Sequence, residues 1–268
     1  MTLSIRRLLL TILLLASLAG LLLIGYTWFI LITDNLKTSF SPGITMVWWG
    51  AIRGYYKTDL ISTLGILTFY TVLALAGELI LRRRFGVNQS SEMFFLRLFL
   101  LLLPLQAVRL TVLYHTDLGL TATRIAWFGR FTGITALLNI SLYDSDMPIR
   151  RSAHILGVGV LVSMAIAVMI PLDVTQPMGN LLYRTGIDTS LALACILLEI
   201  LAVISLAGSG VARMNNLYYL LAAALLSIIV GSELSFFGNA TLDIIGALLM
   251  LMGTLGFAGL IRRIYQWL

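Results

Sequence analysis

The stretch MFFLRLFLLLLPLQAVRLTVLY at positions 93–114 decides the fold class of this chain. It is apolar over a length that, as a helix, crosses a hydrocarbon core of roughly 30 Å. Because lipid offers no partners to open backbone groups, such a segment must be helical. The stretch nevertheless carries Arg109 among apolar neighbours, although a charge at the bilayer centre costs about 2.5–3.5 kcal/mol. The sequence therefore predicts a membrane helix and raises the question of what compensates Arg109.

The composition extends this prediction to the whole chain. Of the 268 residues, 59% are hydrophobic and only 11% are charged, whereas soluble domains carry about 25% charged residues. We therefore expect an all-α polytopic membrane helix bundle that forms a single membrane domain over residues 1–268. The net charge of +6 is interpreted as an orientation signal in short loops, so no nucleic acid partner is expected.

Hydropathy predicts about eight membrane-spanning helices, arranged as one helix followed by seven. Their predicted ranges are 8–32, 60–80, 93–114, 122–142, 153–172, 188–208, 217–237 and 241–261. The first apolar run is too long for the core of a typical signal peptide and has no convincing cleavage site. We therefore expect it to be retained as the first helix.

The basic residues predict how the helices are oriented. One end of the bundle receives most of them, namely Arg6, Arg7, Arg82, Arg83, Arg84, Arg150, Arg151, Arg213, Arg262 and Arg263. The other end, called the outer end below, receives Lys37, Arg53, Lys57, Arg124 and Arg184. Since loops rich in arginine stay in the cytoplasm, both termini are predicted to be cytoplasmic. The expected location is the bacterial cytoplasmic (inner) membrane, as a multi-pass protein.

The loop at 33–59 is the longest predicted connection and lies at the outer end. It carries Trp48, Trp49, Tyr55 and Tyr56, and amphipathic aromatic side chains favour the boundary between membrane and water. We expect residues 44–56 to form a short interfacial helix that begins after Pro42. The loop either anchors the bundle as an aromatic belt or covers a ligand as a lid.

Several kinds of catalytic or cofactor site are excluded by residue type and position. His115 and His154 are predicted at opposite ends of the bundle, so they cannot share a haem or a metal ion. The two lysines lie in the outer loop, which excludes a retinal pigment. Cys195 is interpreted as a small packing residue; the alternative, a nucleophile assisted by Glu199 four residues further on, has no supporting motif. We expect no catalytic residues, no cofactor and no metal.

Charged and polar residues within the predicted spans form the candidate ligand-binding site. Its predicted members are Arg109, Arg130, Glu233, Gln106 and Glu199. Gln106 lies one helical turn from Arg109, and Arg109, Arg130 and Glu233 share a depth near the outer end. Charges within spans normally face the bundle interior and pair with one another. We expect Arg109 to pair with Glu233, and Gln106 and Arg130 to line the same space.

Two interpretations of this cluster remain open. It is either a salt-bridge network that fixes helix packing or a polar cavity open to the outer side. With arginine in excess over glutamate at that depth, such a cavity would favour an anion or a lipid headgroup. Close helix packing is predicted separately from small residues at helical spacing, which are Gly129, Gly133, Gly246, Gly253 and Gly256.

The last seven spans resemble the seven-helix membrane unit of bacterial receptors with diverse intracellular signalling modules. The resemblance covers about residues 60–263. It rests on RRRFGVNQSSEMFFLRLF, RIAWFGRFTGITALL, YDSDMPIRRSAH and the basic residues after the last span. Such receptors usually carry a sensing domain before the seven helices and a signalling domain after them. Since neither is recognised in this sequence, the resemblance implies that any signal passes to a separate protein.

Taken together, the residues predict a non-enzymatic membrane protein. It would be a seven-helix-type sensor or the membrane subunit of a larger complex, with membrane lipids and another protein, which carries the output or transport function, as partners. The alternative is a transporter, or a subunit of a transport complex, for an anionic or lipid-like substrate.

Overall fold

The protein is an all-α bundle in which eight long helices follow one another along the chain. The computed structural model describes residues 3–33, 44–46, 55–57, 60–85, 90–142, 149–177, 180–236 and 240–265. Its long helices are α1 (Leu3–Thr33), α2 (Leu60–Phe85), α3 (Ser91–Leu102), α4 (Gly119–Leu142), α5 (Ile149–Met169), α6 (Asp188–Ala212), α7 (Leu217–Leu234) and α8 (Ala240–Tyr265). The predicted fold class is confirmed.

Length and hydropathy qualify most of these helices as membrane spans. Seven helices within the described residues are long and apolar enough to cross a membrane, and the third of these consists of α3 together with the segment that continues it. The apolar part of α5, His154–Met169, is shorter. The fifth predicted span continued to residue 172, but α5 ends at Met169 because Pro171 follows. The residue before a proline disfavours helical geometry.

The third span changes its helical geometry halfway. After α3, residues Leu103–Leu113 continue as a 3₁₀ helix with Pro104 in its first turn. Proline has no backbone N–H and its ring clashes with the carbonyl one α-helical turn earlier, so it disfavours continuation of the α-helix. A 3₁₀ helix has three residues per turn, and the burial follows that period. Leu105, Val108 and Thr111 are half-buried, and every other residue from 103 to 112 is buried.

This third span forms the centre of the bundle. All twelve residues of α3 are buried, and its side chains dominate the main apolar cluster. By contrast, α1 exposes large side chains such as Leu22 and Ile32 along much of its length. An exposed apolar face of this kind suits contact with lipid. Polar groups on the third span are therefore surrounded by protein rather than by lipid.

Glycines allow α7 and α8 to pack closely. A Cβ atom on Gly231 would lie 2.6 Å from the carbonyl oxygen of Gly246, and one on Gly253 would lie 2.8 Å from that of Ala224. Both distances are shorter than a carbon can approach, so these positions require glycine. The predicted packing role is confirmed at Gly246 and Gly253. Gly256 also faces α7, at ordinary contact distance.

The glycines of α4 pack against the third span. A Cβ atom on Gly129 would lie 3.3 Å from the Cβ of Leu105, and one on Gly133 would lie 3.3 Å from the ring of Phe99. These distances confirm the predicted packing role of both glycines. Arg130, which follows Gly129 directly, is thereby held close to the centre of the bundle.

Two short antiparallel hairpins lie in the outer connections. β1 (Ile44–Met46) pairs with β2 (Tyr55–Lys57), and β3 (Leu172–Pro177) pairs with β4 (Tyr183–Thr185). The first hairpin occupies the ends of the segment 44–56, where the sequence predicted a short interfacial helix. That prediction is wrong at these positions. β-Branched and aromatic residues favour strands, and pairing the two ends satisfies their backbone groups. Trp48 and Trp49 lie outside the described residues.

Candidate functional site

An ion pair between α4 and α7 forms the core of the candidate site. The Nη2 of Arg130 lies 2.6 Å from each carboxylate oxygen of Glu233. The guanidinium also lies 3.9 Å from the ring centre of Phe236 and 5.2 Å from that of Trp127. A cation over an aromatic face is attracted by the quadrupole of the ring, which is negative at the face. Arg130 is therefore fixed by a carboxylate and two aromatic rings at once.

A cavity opens beside this ion pair. The cavity has a volume of about 40 Å³. Most of the lining is apolar or aromatic, and the polar members come from four helical segments. The lining residues are Tyr70, Phe99, Leu102, Leu103, Gln106, Gly129, Arg130, Gly133, Ile134, Leu137, Glu199, Ser232, Glu233 and Phe236. An apolar cavity with a few convergent polar groups is the usual form of a small-molecule site.

Glu199 reaches this cavity from α6. Only 4% of its surface is exposed to solvent. It interacts electrostatically with both Glu233 and Arg130. The described lining residues therefore include one guanidinium and two carboxyl groups. The sequence predicted an excess of arginine over glutamate in this space. The balance is reversed because Glu199 joins the site and Arg109 does not line it.

Arg109 is buried, but it does not pair with Glu233. Its Nε donates to the carbonyl oxygen of Gln106 at 3.1 Å, and its Nη1 donates to the carbonyl oxygen of Asn180 at 3.3 Å. Its Nη2 donates to the side-chain oxygen of Gln106 at 3.0 Å. The predicted ion pair is wrong, since Arg130 holds Glu233 instead. Backbone and amide oxygens, rather than a carboxylate, receive the donors of Arg109.

Gln106 connects Arg109 with the cavity. In a 3₁₀ helix residues three apart lie directly above one another, so Gln106 and Arg109 share a face, as predicted. The side-chain amide nitrogen of Gln106 donates to the carbonyl oxygen of Ala126 at 2.8 Å. Gln106 therefore ties the third span to α4 while its amide lines the cavity.

The outer hairpin of β3 and β4 is fastened over this region. Asn180, which accepts from Arg109, donates through its side chain to the carbonyl oxygen of Phe236 at 3.5 Å. The amide of Leu182 donates to the side chain of Asn180, and that of Tyr183 donates to Thr123. Phe236 is itself a lining residue. The hairpin is thus bonded both to Arg109 and to the wall of the cavity.

A second polar group, not predicted from the sequence, lies near Arg109. Ser62 donates to one carboxylate oxygen of Asp243, whose other oxygen is buried without a hydrogen-bond partner in the described part of the chain. Tyr70, a lining residue, interacts electrostatically with both Arg109 and Asp243. Asp243 occupies the first turn of α8, where the helix dipole favours a negative charge. The sequence signal that could have identified Asp243 as part of the polar region is its position at the start of the last predicted span.

A second buried ion pair was also missed. Arg97 of α3 donates through Nε to Glu78 of α2 at 2.7 Å, and its Nη2 contacts the other oxygen. The signal was present in the sequence, since the predicted span 60–80 contains Glu78 and the next predicted span, 93–114, contains Arg97 as well as Arg109. Neither residue lines the cavity described above.

The remaining candidate residues occupy packing or terminal positions. Cys195 is buried in an apolar cluster with Trp127 and Phe131, in agreement with its predicted packing role. His115 and His154 lie at opposite ends of the bundle and are exposed. Within the residues that the structure describes, no group of three or more His, Cys, Asp or Glu side chains could hold a metal ion.

These features establish the broad class of the molecule. Seven described helices can span a membrane, and the charged residues Glu78, Arg97, Arg109, Glu199 and Glu233 within these spans are buried. The chain is therefore a multi-pass integral membrane protein. No protein-family model and no curated protein matches its sequence.

Proposed function

We propose that this protein is a non-enzymatic membrane sensor, or the membrane subunit of a larger complex, that binds a small molecule in the cavity beside Arg130. The cavity itself is the observation that supports this proposal most directly. A purely structural ion pair needs only close packing around it, whereas this pair borders an open cavity of about 40 Å³.

The connection between cavity and outer hairpin supports a sensing role. Phe236 contacts Arg130 inside the cavity, and its carbonyl oxygen accepts a hydrogen bond from Asn180 of the hairpin. A ligand that displaces Phe236 would therefore disturb the hairpin. The change would be transmitted to another protein, in keeping with the resemblance to seven-helix receptor units. Transport of a substrate through the bundle is the alternative.

A cavity-filling variant tests the proposed site. Ser232→Phe in α7 introduces a ring into the cavity, and Leu226→Phe places the same ring on an exposed face of the same helix. The full chain is purified in detergent, and retained small molecules are extracted and identified by mass spectrometry. We expect a molecule present with the wild type and with Leu226→Phe to be lost with Ser232→Phe. Equal amounts in all three proteins would contradict the proposal.

Reconstitution then separates sensor from transporter. The molecule retained by the wild type is loaded into proteoliposomes, and its release is followed with time. A sensor or complex subunit leaves release at the rate of protein-free vesicles, whereas a transporter raises it in a manner that Ser232→Phe abolishes. Co-purification of a partner protein from membranes supports the interpretation as a sensor or as a subunit of a larger complex.

A further inference from the structure

We infer that the cavity binds an organic cation, namely a protonated amine that carries an apolar tail. This inference rests on the proposed function, because it names the ligand class of the same cavity. It reverses the expectation of an anionic ligand that the arginines raised.

The charge balance of the lining residues carries the first step. Arg130 places one nitrogen 2.6 Å from both carboxylate oxygens of Glu233, so that pair is close to neutral. Glu199 lines the same cavity and is 4% exposed. Among the described lining residues, no second cation accompanies it. Glu199 shares a hydrogen bond with Glu233, which requires a proton between the two carboxyl groups. A bound cation can take the place of that proton, because it compensates the second negative charge.

The remaining polar groups of the lining argue for an ammonium group rather than a metal ion. A hard metal cation takes about six oxygen ligands. The side-chain oxygen of Gln106 already accepts from Arg109, and the hydroxyl of Ser232 donates to the carbonyl oxygen of Ile229. The strongest acceptors open to a ligand are therefore the carboxyl oxygens, each of which can accept more than one hydrogen bond. An ammonium group has three donors and no acceptor, which suits two neighbouring carboxyl groups.

The apolar part of the lining argues for a hydrophobic tail. The apolar lining residues include Phe99, Leu102, Leu103, Ile134 and Leu137. These side chains offer no hydrogen bonds, so a fully hydrated cation would lose water there without compensation. An alkyl or aryl group would instead bury apolar surface against them. A charged end at Glu199 with an apolar remainder satisfies both parts of the cavity.

The test uses three probes of equal chain length: hexylammonium, hexan-1-ol and hexanoate. Their binding to the full chain in detergent is measured by equilibrium dialysis against micelles alone. We expect hexylammonium to bind at least tenfold more tightly than hexanoate, with hexan-1-ol between them. Glu199→Gln should weaken hexylammonium about tenfold and leave hexan-1-ol unchanged. The control Glu92→Gln, which alters a buried carboxyl group outside this lining, should change neither.

The outcomes distinguish this inference from the proposed function. The neutral alcohol reports on the cavity alone, and Ser232→Phe should abolish its binding. If the alcohol binds in a manner sensitive to Ser232→Phe but the amine is not preferred, the cavity stands and the cation inference is overturned. If Ser232→Phe affects none of the probes, the cavity is not a ligand site and both proposals fall. Because the wild type alone shows the order of the three probes, an unfolded Glu199→Gln variant would still leave the inference decided.

Discussion

Two buried ion pairs, Arg97–Glu78 and Arg130–Glu233, have nearly the same solvent exposure but different surroundings. All four side chains are at most 9% exposed. Near the first pair the helices approach closely, since a Cβ on Gly77 would lie 3.2 Å from a methyl group of Leu100. The second pair borders a cavity and a further carboxyl group. Burial and pairing are therefore the same in both, and only the neighbouring space distinguishes a packed pair from a candidate site.

The difference matters for how each pair responds to the loss of its carboxylate. In the packed pair, two nitrogens of Arg97 donate to the two carboxylate oxygens of Glu78, so the loss of that carboxylate removes two charge-assisted hydrogen bonds at once. In the cavity pair, Arg130 also interacts with Glu199, and the empty space has room for water, which occupies about 30 Å³ per molecule. We expect the packed pair to be the more sensitive of the two.

The largest effect is expected from Glu78→Gln. It removes the carboxylate that accepts two hydrogen bonds from the buried guanidinium of Arg97, and breaking a buried pair in this way costs about 3–5 kcal/mol. The free energy of unfolding, measured by titration with a denaturing detergent, should fall by that amount. Glu92→Gln is the matched control on the neighbouring helix, because Glu92 is equally buried but accepts from the hydroxyl of Tyr265. A loss no greater than that of the control would refute the packed-pair interpretation.

A smaller loss is expected from Glu233→Gln. Glu199 and water can take over part of the compensation of Arg130, so the cost should approach that of a hydrogen bond to a charged group, about 1.5–3 kcal/mol. The same detergent titration measures it. If Glu233→Gln proves as costly as Glu78→Gln, the contrast between the two pairs is wrong.

A second substitution in the Glu233→Gln chain identifies the partner of Glu233. Arg130→Gln should restore part of the lost stability, because it removes the charge left uncompensated. Arg109→Gln should restore none, since Arg109 donates to oxygens of Gln106 and Asn180. Restoration by Arg109→Gln would instead favour the pairing first expected from the sequence.

The helices could be predicted because hydropathy and length alone define a membrane span. The eight predicted ranges agree with the helices to within a few residues at most ends, although several helices begin or continue beyond them. Gly129, Gly133, Gly246 and Gly253 were assigned correctly because small residues at helical spacing have one dominant use in a bundle. Gln106, Arg130, Glu199 and Glu233 were named together, and they do line one cavity. Their ligand-binding role stays a prediction.

The partner of Arg109 could not be predicted because depth in the membrane does not fix direction around a helix. An α-helix turns about 100° per residue and a 3₁₀ helix about 120°. From Leu103 to Arg109 the difference accumulates to roughly 120°, which turns the side chain from one neighbour to another. The sequence contained the cause, Pro104, but the change of helix type over eleven residues is longer than such segments usually are.

The smallest change in the free energy of unfolding is expected from Arg109→Met, together with a local effect on the hairpin of β3 and β4. The substitution removes three hydrogen bonds but also removes a buried charge, so the two effects partly offset each other and the net loss should be about 1 kcal/mol. The hairpin of β3 and β4 should open more often, because Asn180 loses the donor that fastens it. Amide hydrogen exchange at Leu182 and Tyr183 should therefore accelerate about fivefold. Arg124→Met, at an exposed position of α4, should leave that exchange unchanged. Unaltered exchange in Arg109→Met would mean that Thr123, the hydrogen bond from Asn180 to Phe236 and the strand pairing hold the hairpin without Arg109. Arg109 would then resemble the packed pair Arg97–Glu78, since it would contribute neither to the site nor to its cover.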